Sequence, residues 1–287
     1  MKDYSSLFPI EKMCKALRVK RSSYYSWLKR KPGKRDIDNK DLSNKIQEIY
    51  NKSKKTYGSP RVTIALRNQG IIISRPRVAR LMKRMNLRSI IRKKFVVTTD
   101  SRHNYPVVEN KLNRDFQVDG TGEVWVSDLT YIKTSEGWLY LTVIIDLGDR
   151  KVVGWSLSRS LKASDTTVPA WIMAVNNRPI TQKLIFHSDR GVQYACNEFT
   201  NLLRGYKLVE RSMSRKGDCW DNAVSESFFK TLKVECVYQN NYKTREKAAL
   251  SIFEYIAAWY NTGRIHSTLK MSIKDFSEKK INQKLVA

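Results

Sequence analysis

The sequence has few of the residues that build structural zinc sites or disulfide frameworks. Four cysteines are scattered along 287 residues without a CxxC pair, and only three histidines accompany them. A structural zinc site needs four such ligands at short spacings, so none is predicted, and the thiols are expected to be reduced, as in the cytoplasm. No run approaches about 20 apolar residues, which excludes a membrane-spanning helix. The first residues also lack the apolar stretch of a signal peptide.

Acidic residues are scarce beside basic ones. The chain has 54 Lys and Arg against 27 Asp and Glu, a net charge of +27, and 41% hydrophobic residues. The apolar content allows a sizeable core. The positive charge predicts a polyanionic partner, with nucleic acid preferred over an anionic membrane surface. The first 111 residues hold 29 basic and 8 acidic side chains, and the remainder 25 and 19. We therefore predict a basic front part followed by a nearly balanced core.

The basic front part has helical patterns. Residues 10–30 are typical of two short helices around a tight turn, so 1–33 is interpreted as a short helix-turn-helix-like segment. A small helical hairpin with basic ends fits this segment equally well. Residues 36–90 are predicted to form a basic helical DNA-binding domain, in which Gly70 ends one helix. Residues 91–114 lose periodicity and gather charge, which indicates a basic connector.

One helix of this domain is predicted from ISRPRVARLMKRMN. Val78, Leu81, Met82 and Met85 recur at helical spacing and form an apolar stripe. Five cations lie on or beside the opposite stripe: Arg75, Arg77, Arg80, Lys83 and Arg84. A bundle helix with a merely soluble outer face is the alternative, but soluble faces usually mix the two signs of charge. We predict that these five cations contact DNA.

The balanced part has the pattern of an α/β domain. Three runs rich in β-branched and aromatic residues, VWVSDLTYIKT, WLYLTVIIDL and KVVGWSLSRS, are separated by short turns and predict antiparallel strands. Helical and strand-like segments then alternate. A mixed sheet covered by helices is therefore predicted over residues 115–277, followed by a tail at 278–287.

Three carboxylates of this core are candidate metal ligands. Asp128 stands in mid-strand, where Asp is disfavoured, Asp189 ends the fourth strand, and Glu226 lies on a later helix. Acids that converge near strand ends form a site suited to hard divalent cations. A lone mid-strand Asp is more simply a hydrogen-bonded buried residue, but that interpretation is weaker for the set of three. Spacing leaves four other acids open: Asp146, Asp218, Asp221 (more simply a helix N-cap) and Glu235.

The helix DNAVSESFFKTLK places Asn222, Glu226, Lys230 and Lys233 on one stripe. An ordinary solvated Glu–Lys stripe is the simplest interpretation. The alternative is that the carboxylate binds a metal ion while the lysines bind a phosphate backbone.

The segments VWVSDLTYI, IFHSDRGVQY and SMSRKGDCWDNAVSESFFKTLKVE resemble the signature blocks of second-reading-frame transposases of the IS-three group of insertion sequences. This group belongs to the retroviral integrase superfamily, and the resemblance covers most of the chain. It implies a ribonuclease H-like core with a DDE triad at Asp128, Asp189 and Glu226. The triad would hold Mg²⁺, or Mn²⁺ as a substitute, as two ions.

The resemblance also implies that Lys230 and Lys233 contact DNA near the cleaved phosphate and that Asn222 helps to position the site. Arg215 and Lys216 lie in the loop leading to it. The implied reaction is nicking of insertion-sequence ends and transfer of the 3′-hydroxyl into target DNA. A nuclease that cuts without joining and a non-catalytic DNA-binding regulator are the alternatives.

The implied partners are the DNA ends, the target DNA, further copies of the chain assembled on DNA, and the product of an upstream reading frame. A nucleoid-associated protein in the cytoplasm is expected, without a membrane partner. Ser127 or Tyr131 as a covalent nucleophile is disfavoured, because neither has a base partner readable in the sequence.

Overall fold

The computed structural model describes residues 1–31, 33–90, 105–215 and 218–286. The part before residue 91 is helical, as predicted. Its α-helices are α1 (Ile10–Ala16), α2 (Arg21–Lys29), α3 (Lys34–Lys52), α4 (Ser59–Asn68) and α5 (Arg75–Arg84). Gly70 has a φ of +81° just after α4, which confirms it as the helix stop, because this left-handed conformation favours glycine.

Helices α3, α4 and α5 pack around a hydrophobic core of their own and are called the helical module below. Its buried residues include Ile46, Val62, Leu66, Val78 and Leu81. Ile265 is buried in the same core, and Trp259 packs against it, although both belong to the far end of the chain. The helical module is therefore attached to the C-terminal part of the chain.

The rest of the chain is built on a five-stranded sheet. Its strands are β1 (Val124–Thr134), β2 (Gly137–Asp146), β3 (Val152–Ser158), β4 (Leu184–Ser188) and β5 (Val209–Met213). Their order is β3-β2-β1-β4-β5. The first three strands are antiparallel, whereas β4 runs parallel to β1 and β5 parallel to β4. The predicted mixed α/β sheet is confirmed.

Helices cover both faces of the sheet. They are α6 (Thr167–Asn177), α7 (Val192–Ala195), α8 (Asn197–Arg204), α9 (Ala223–Glu235), α10 (Arg245–Phe253) and α11 (Ile273–Val286). On one face Trp171 of α6 and Phe199 of α8 are buried. On the other face Phe228, Leu232 and Ile252 attach α9 and α10. Alternate residues of β1 enter the two cores, as the two-residue period of a strand requires.

The C-terminal part contains elements that the sequence did not predict. Helix α10 continues as a π-helical stretch, Glu254–Tyr260. A short hairpin of β6 (Ile265–His266) and β7 (Met271–Ser272) then leads into α11. This helix crosses the predicted boundary between residues 277 and 278.

Only the end of the predicted connector is described, since residues 91–104 lie outside the described residues. Residues 105–114 run along the core, in which Leu112 is buried. The Lys111 amide donates a hydrogen bond to Ser212 Oγ, 2.9 Å away. In the described ranges of the chain, no helix has the length and apolar character needed to span a bilayer.

Candidate active site

Two of the three predicted acids lie side by side at a strand end. Asp128 is in β1, and Asp189 directly follows β4. These strands are parallel neighbours, and Ser127 pairs with Ser188. Asp128 and Asp189 each follow a member of this last pair, so they are neighbours beside strands whose backbones lie about 5 Å apart where they pair. Both residues are partly exposed, so a ligand can reach them.

The third predicted acid, Glu226, lies in the first turn of α9 and is also partly exposed. The helix start is tied to the strand that carries Asp128. Asn222, the N-cap of α9, donates a hydrogen bond from Nδ2 to the Ser127 carbonyl oxygen, 2.9 Å away. This bond fixes α9 against β1 one residue before Asp128.

The three carboxylates interact electrostatically. Burial raises the pKa of Asp128 well above its usual value, and the charges of Asp189 and, more weakly, Glu226 raise it further. The Leu129 amide, 2.7 Å from Asp128 Oδ1, and the charge of Lys233 oppose this shift. Burial also raises the pKa of Glu226. Burial is therefore the main cause of both shifts, and the neighbouring carboxylates add to that of Asp128.

The donor set fits a hard divalent cation. Carboxylate oxygens are the ligands that Mg²⁺ prefers. Asn222 Oδ1 and Ser225 Oγ are buried and have no hydrogen-bond partner within the described part of the chain, so polar atoms beside the acids are left unsatisfied. As they stand, the described side chains contain no group of three or more His, Cys, Asp or Glu that could hold a metal ion. The acids are therefore neighbours, but not a closed ligand cluster.

The two lysines of α9 differ in their surroundings. Lys230 is exposed, whereas Lys233 is partly exposed. Burial lowers the pKa of Lys233, and the negative charge of Asp128 acts in the opposite direction. The ammonium group of Lys233 is therefore close enough to Asp128 for their charges to interact, whereas Lys230, one turn nearer the helix start, is exposed to solvent.

The loop before α9 is held by one buried carboxylate. Asp221 accepts hydrogen bonds from Arg215 Nη2 (2.8 Å), Arg114 Nε (2.7 Å) and Asn110 Nδ2 (2.8 Å). Hydrogen bonds from Arg215 hold the pKa of Asp221 far below its usual range. The interpretation of Asp221 as an N-cap is wrong, because Asn222 holds that position. The predicted DNA-binding Arg215 is engaged here, and Lys216 lies outside the described residues.

The other acids left open by the sequence also have structural partners. Asp146 accepts hydrogen bonds from the Gly122 amide (2.7 Å), from the Trp125 indole (3.0 Å) and from the guanidinium group of Arg178. Asp218 forms an ion pair with Arg114, which also binds Asp221. Glu235 binds arginines at the far end of α9. These hydrogen bonds and positive charges stabilise the negative charge of each carboxylate in the folded chain.

Sequence patterns did not reveal the residues behind the site. Tyr194 is buried, and its hydroxyl lies 2.8 Å from Ser127 Oγ. Burial raises the pKa of Tyr194 well above its usual value, and the charges of Asp128 and Asp189 add to the shift. Ser127 is itself fully buried, which makes it unsuited to act as a nucleophile. Nothing in the segment GVQYACN marks Tyr194 in advance.

A cleft of about 580 Å³ opens beside Asp189. Leu129, Tyr131 and Val192 contribute to its apolar walls, and Lys162 adds a positive charge. The cleft gives a ligand access to Asp189.

A second candidate surface lies on the helical module. In α5, Val78, Leu81 and Met82 are buried. Four of the predicted DNA-binding cations are exposed: Arg75, Arg80, Lys83 and Arg84. Arg77 is partly buried and donates to Asn39 Oδ1 in α3, 2.9 Å away from its Nη2. The exposed face of α5 is therefore strongly basic.

Family models match both parts of the chain. An HTH-like domain matches residues 36–95, and an integrase core domain matches residues 119–219 and 226–281. The first match covers the helical module, and the other two cover the sheet and its helices.

Curated relatives match almost the whole chain. Transposase InsF for insertion sequence IS3A of Escherichia coli (strain K12) is 39% identical over 262 residues, 91% of this chain and 90% of the relative. An uncharacterized 31 kDa protein of insertion element IS600 from Shigella sonnei is 39% identical over 268 residues, 93% and 98% of the two chains. A chain in the cryo-EM structure of the simian T-cell lymphotropic virus intasome with PP2A regulatory subunit B56 gamma covers 80% of this chain and 73% of its own length, with 11% identity and a TM-score of 0.46. The extent of the curated matches shows that the chain belongs to the IS3 family of insertion-sequence transposases, enzymes of the DDE transposase and integrase class.

Proposed function

We propose that the chain nicks DNA at the ends of an insertion sequence and joins the freed 3′-hydroxyl to a target strand. The observation that carries the proposal is the pairing of Asp128 with Asp189 at the end of β4, with Glu226 close enough to raise the pKa of Asp128. Family membership supports DNA as the substrate.

Asp128, Asp189 and Glu226 would hold divalent cations, Mg²⁺ or Mn²⁺ in its place, as two ions. Such ions activate an attacking hydroxyl and neutralise the leaving oxygen. The electrostatic interaction of Asp128 with the other two acids and the unsatisfied Asn222 Oδ1 support this assignment.

The lysines of α9 would bind the DNA backbone beside the acids. Lys233, whose charge interacts with that of Asp128, would bind the phosphate that is cut, and Lys230 would bind a neighbouring phosphate. Asn222 would keep α9 and β1 together while DNA occupies the cleft. Water would attack first and release a 3′-hydroxyl, and that hydroxyl would then attack a phosphodiester of the target strand.

A strand-transfer assay tests the joining step. With a labelled duplex that ends in a pre-formed 3′-hydroxyl, the chain is expected to produce longer, joined strands in Mg²⁺. A second duplex, in which the end of the insertion sequence is still uncut, is tested in parallel. Nicking of this duplex without joined product from either substrate would instead identify a nuclease. Binding of the duplex without either product would identify a non-catalytic regulator of transposition.

The basic face of α5 is expected to supply part of the DNA affinity. Replacing Arg80 and Lys83 by alanine removes two exposed cations, so the log–log slope of affinity against salt should fall by about 1 for each phosphate that the variant no longer neutralises. Fluorescence anisotropy at several salt concentrations measures this slope. Lys247→Ala removes one exposed cation from α10, outside the helical module, and serves as the control. An unchanged slope in the α5 variant would place the DNA elsewhere.

Assembly of several copies on DNA, partnership with an upstream reading-frame product and association with the nucleoid in the cytoplasm remain part of the proposal. Two DNA ends and a target must meet in one reaction, which favours more than one copy.

A further inference from the structure

A buried cluster of charges lies at the end of α9 opposite the acids. Glu235 has a side chain only 7% exposed, and it accepts hydrogen bonds from Arg264 at Nε (2.8 Å) and Nη2 (2.8 Å). The Tyr255 hydroxyl donates to it at 2.9 Å, and Arg61 Nη1 donates at 3.0 Å. The Glu235 carboxylate therefore receives four hydrogen bonds from three side chains.

One of these partners comes from the helical module. Arg61 lies in α4 and is 174 residues from Glu235 in the sequence. Its guanidinium group stacks 5.7 Å from the centre of the Tyr57 ring. The Tyr57 hydroxyl, in turn, accepts a hydrogen bond from the Ile265 amide, 2.6 Å away. The helical module is thus joined to the end of α9 by polar contacts and to the C-terminal part of the chain by its apolar core.

Arg61 is not needed to neutralise Glu235. The bidentate Arg264, whose side chain is 4% exposed, already balances the single carboxylate. A second guanidinium adds positive charge to a buried cluster, and burial together with the charge of Arg264 lowers the pKa of Arg61. We therefore explain the contact of Arg61 with Glu235 by the elements that it connects. Arg61 lies in α4 of the helical module, and Glu235 lies in α9, which packs on the sheet.

The same helix carries the candidate metal ligand at its other end. Glu226 and Glu235 lie nine residues apart on α9, about 14 Å along the helix axis. Helix α5, with its exposed cations, packs against α4. A continuous set of packed elements therefore runs from the DNA-facing surface of α5 through α4, Arg61 and Glu235 to Glu226.

We propose that Arg61 is a positioning residue, which fixes the helical module on the end of α9 and thereby sets the distance between the DNA contacted by α5 and the phosphodiester that is cut. The proposal rests on the proposed function for its DNA-cutting step. A displacement of about 1 Å can cost about 10²-fold in rate, so a loose junction would lower the rate and spread the cuts over neighbouring bonds.

The test compares Arg61→Met with Arg67→Met, which removes the same charge from α4. Arg67 donates two hydrogen bonds to the Ile73 carbonyl oxygen within the helical module, so this control reports both lost charge and disturbance confined to that module. Each variant is given a labelled duplex carrying an end of the insertion sequence, and cuts are mapped at single-nucleotide resolution. We expect Arg61→Met to cut at least about tenfold more slowly and at several adjacent bonds. DNA affinity should equal that of Arg67→Met, and Arg61→Lys should restore a single cutting position.

A second measurement does not require cutting. Spin labels encoded at Lys83 in α5 and Lys230 in α9 report the distance between the two surfaces. Arg61→Met should broaden this distance distribution, whereas Arg67→Met should leave it narrow. Equal distributions and identical cutting positions in the two variants would overturn the proposal. If the labelled chain without the Arg61 substitution gives a narrow distribution, but the unlabelled wild-type chain cuts no DNA, the proposed function is refuted while the junction stands.

Discussion

Asp189→Asn is expected to abolish both cutting and joining, with a loss of at least about 10³-fold in rate. The substitution keeps the size of the side chain, and Asn Oδ1 can still accept the Gly191 amide hydrogen bond, 2.9 Å in the parent. It removes one negative charge from the pair formed with Asp128. Because the acids repel the DNA phosphates, binding of the duplex should be equal or slightly tighter. Gel-based cutting and strand-transfer assays, together with anisotropy, measure both effects.

Asp275→Asn provides the matched control, since Asp275 is an exposed carboxylate at the start of α11. It should bind, cut and join like the wild type. If Asp189→Asn retains more than about a tenth of the activity, the pair of Asp128 and Asp189 does not take part in the reaction. A loss of binding together with activity would indicate that the substitution had damaged the fold.

The local patterns of the sequence were sufficient to predict the elements that carry the acids. Asp128 could be placed in a strand because VWVSDLTYI has strand composition on both sides of it, and β1 contains the whole segment. Glu226 could be placed on a helix because apolar residues recur at helical spacing, and α9 buries Phe228, Phe229 and Leu232. The proximity of Asp128 and Asp189 was expected from acids that converge near strand ends. It arises because Asp128, within β1, is next to the residue that pairs with the last residue of β4.

The contacts of the remaining charged residues could not be predicted in the same way. Asp221 and Arg114 are 107 residues apart in the sequence, and their pairing depends on where the connector runs over the finished fold. Glu235 lies on the same helix as Glu226 and looks equally suitable as a ligand in the sequence. The packing of Arg61 and Arg264 against it distinguishes Glu235, a structural carboxylate, from Glu226, the candidate metal ligand. Helical and strand periods carry no information about such distant partners.

Glu235→Ala is expected to give the largest loss of stability, about 3–5 kcal/mol of the free energy of unfolding. The substitution leaves Arg264, whose side chain is 4% exposed, without a counter-charge in the interior. It also removes the acceptor of the Tyr255 hydroxyl. Equilibrium unfolding in urea, followed by circular dichroism, measures the change. The control is Glu246→Ala, which breaks the exposed pair with Arg159 and should leave the unfolding midpoint unchanged.

The acid sensitivity of folding should change in the same variant. Burial would raise the pKa of Glu235, but the hydrogen bonds and charge of Arg264 outweigh it and leave the pKa below its usual value. Below the usual pKa of glutamate, the unfolded chain therefore binds a proton that the folded chain does not, and stability falls as the pH falls. Glu235→Ala removes this contribution, so the difference in stability between wild type and variant should shrink from pH 7 towards pH 3. A difference that stays constant across this range would show that the lost stability comes from packing rather than from the buried charges.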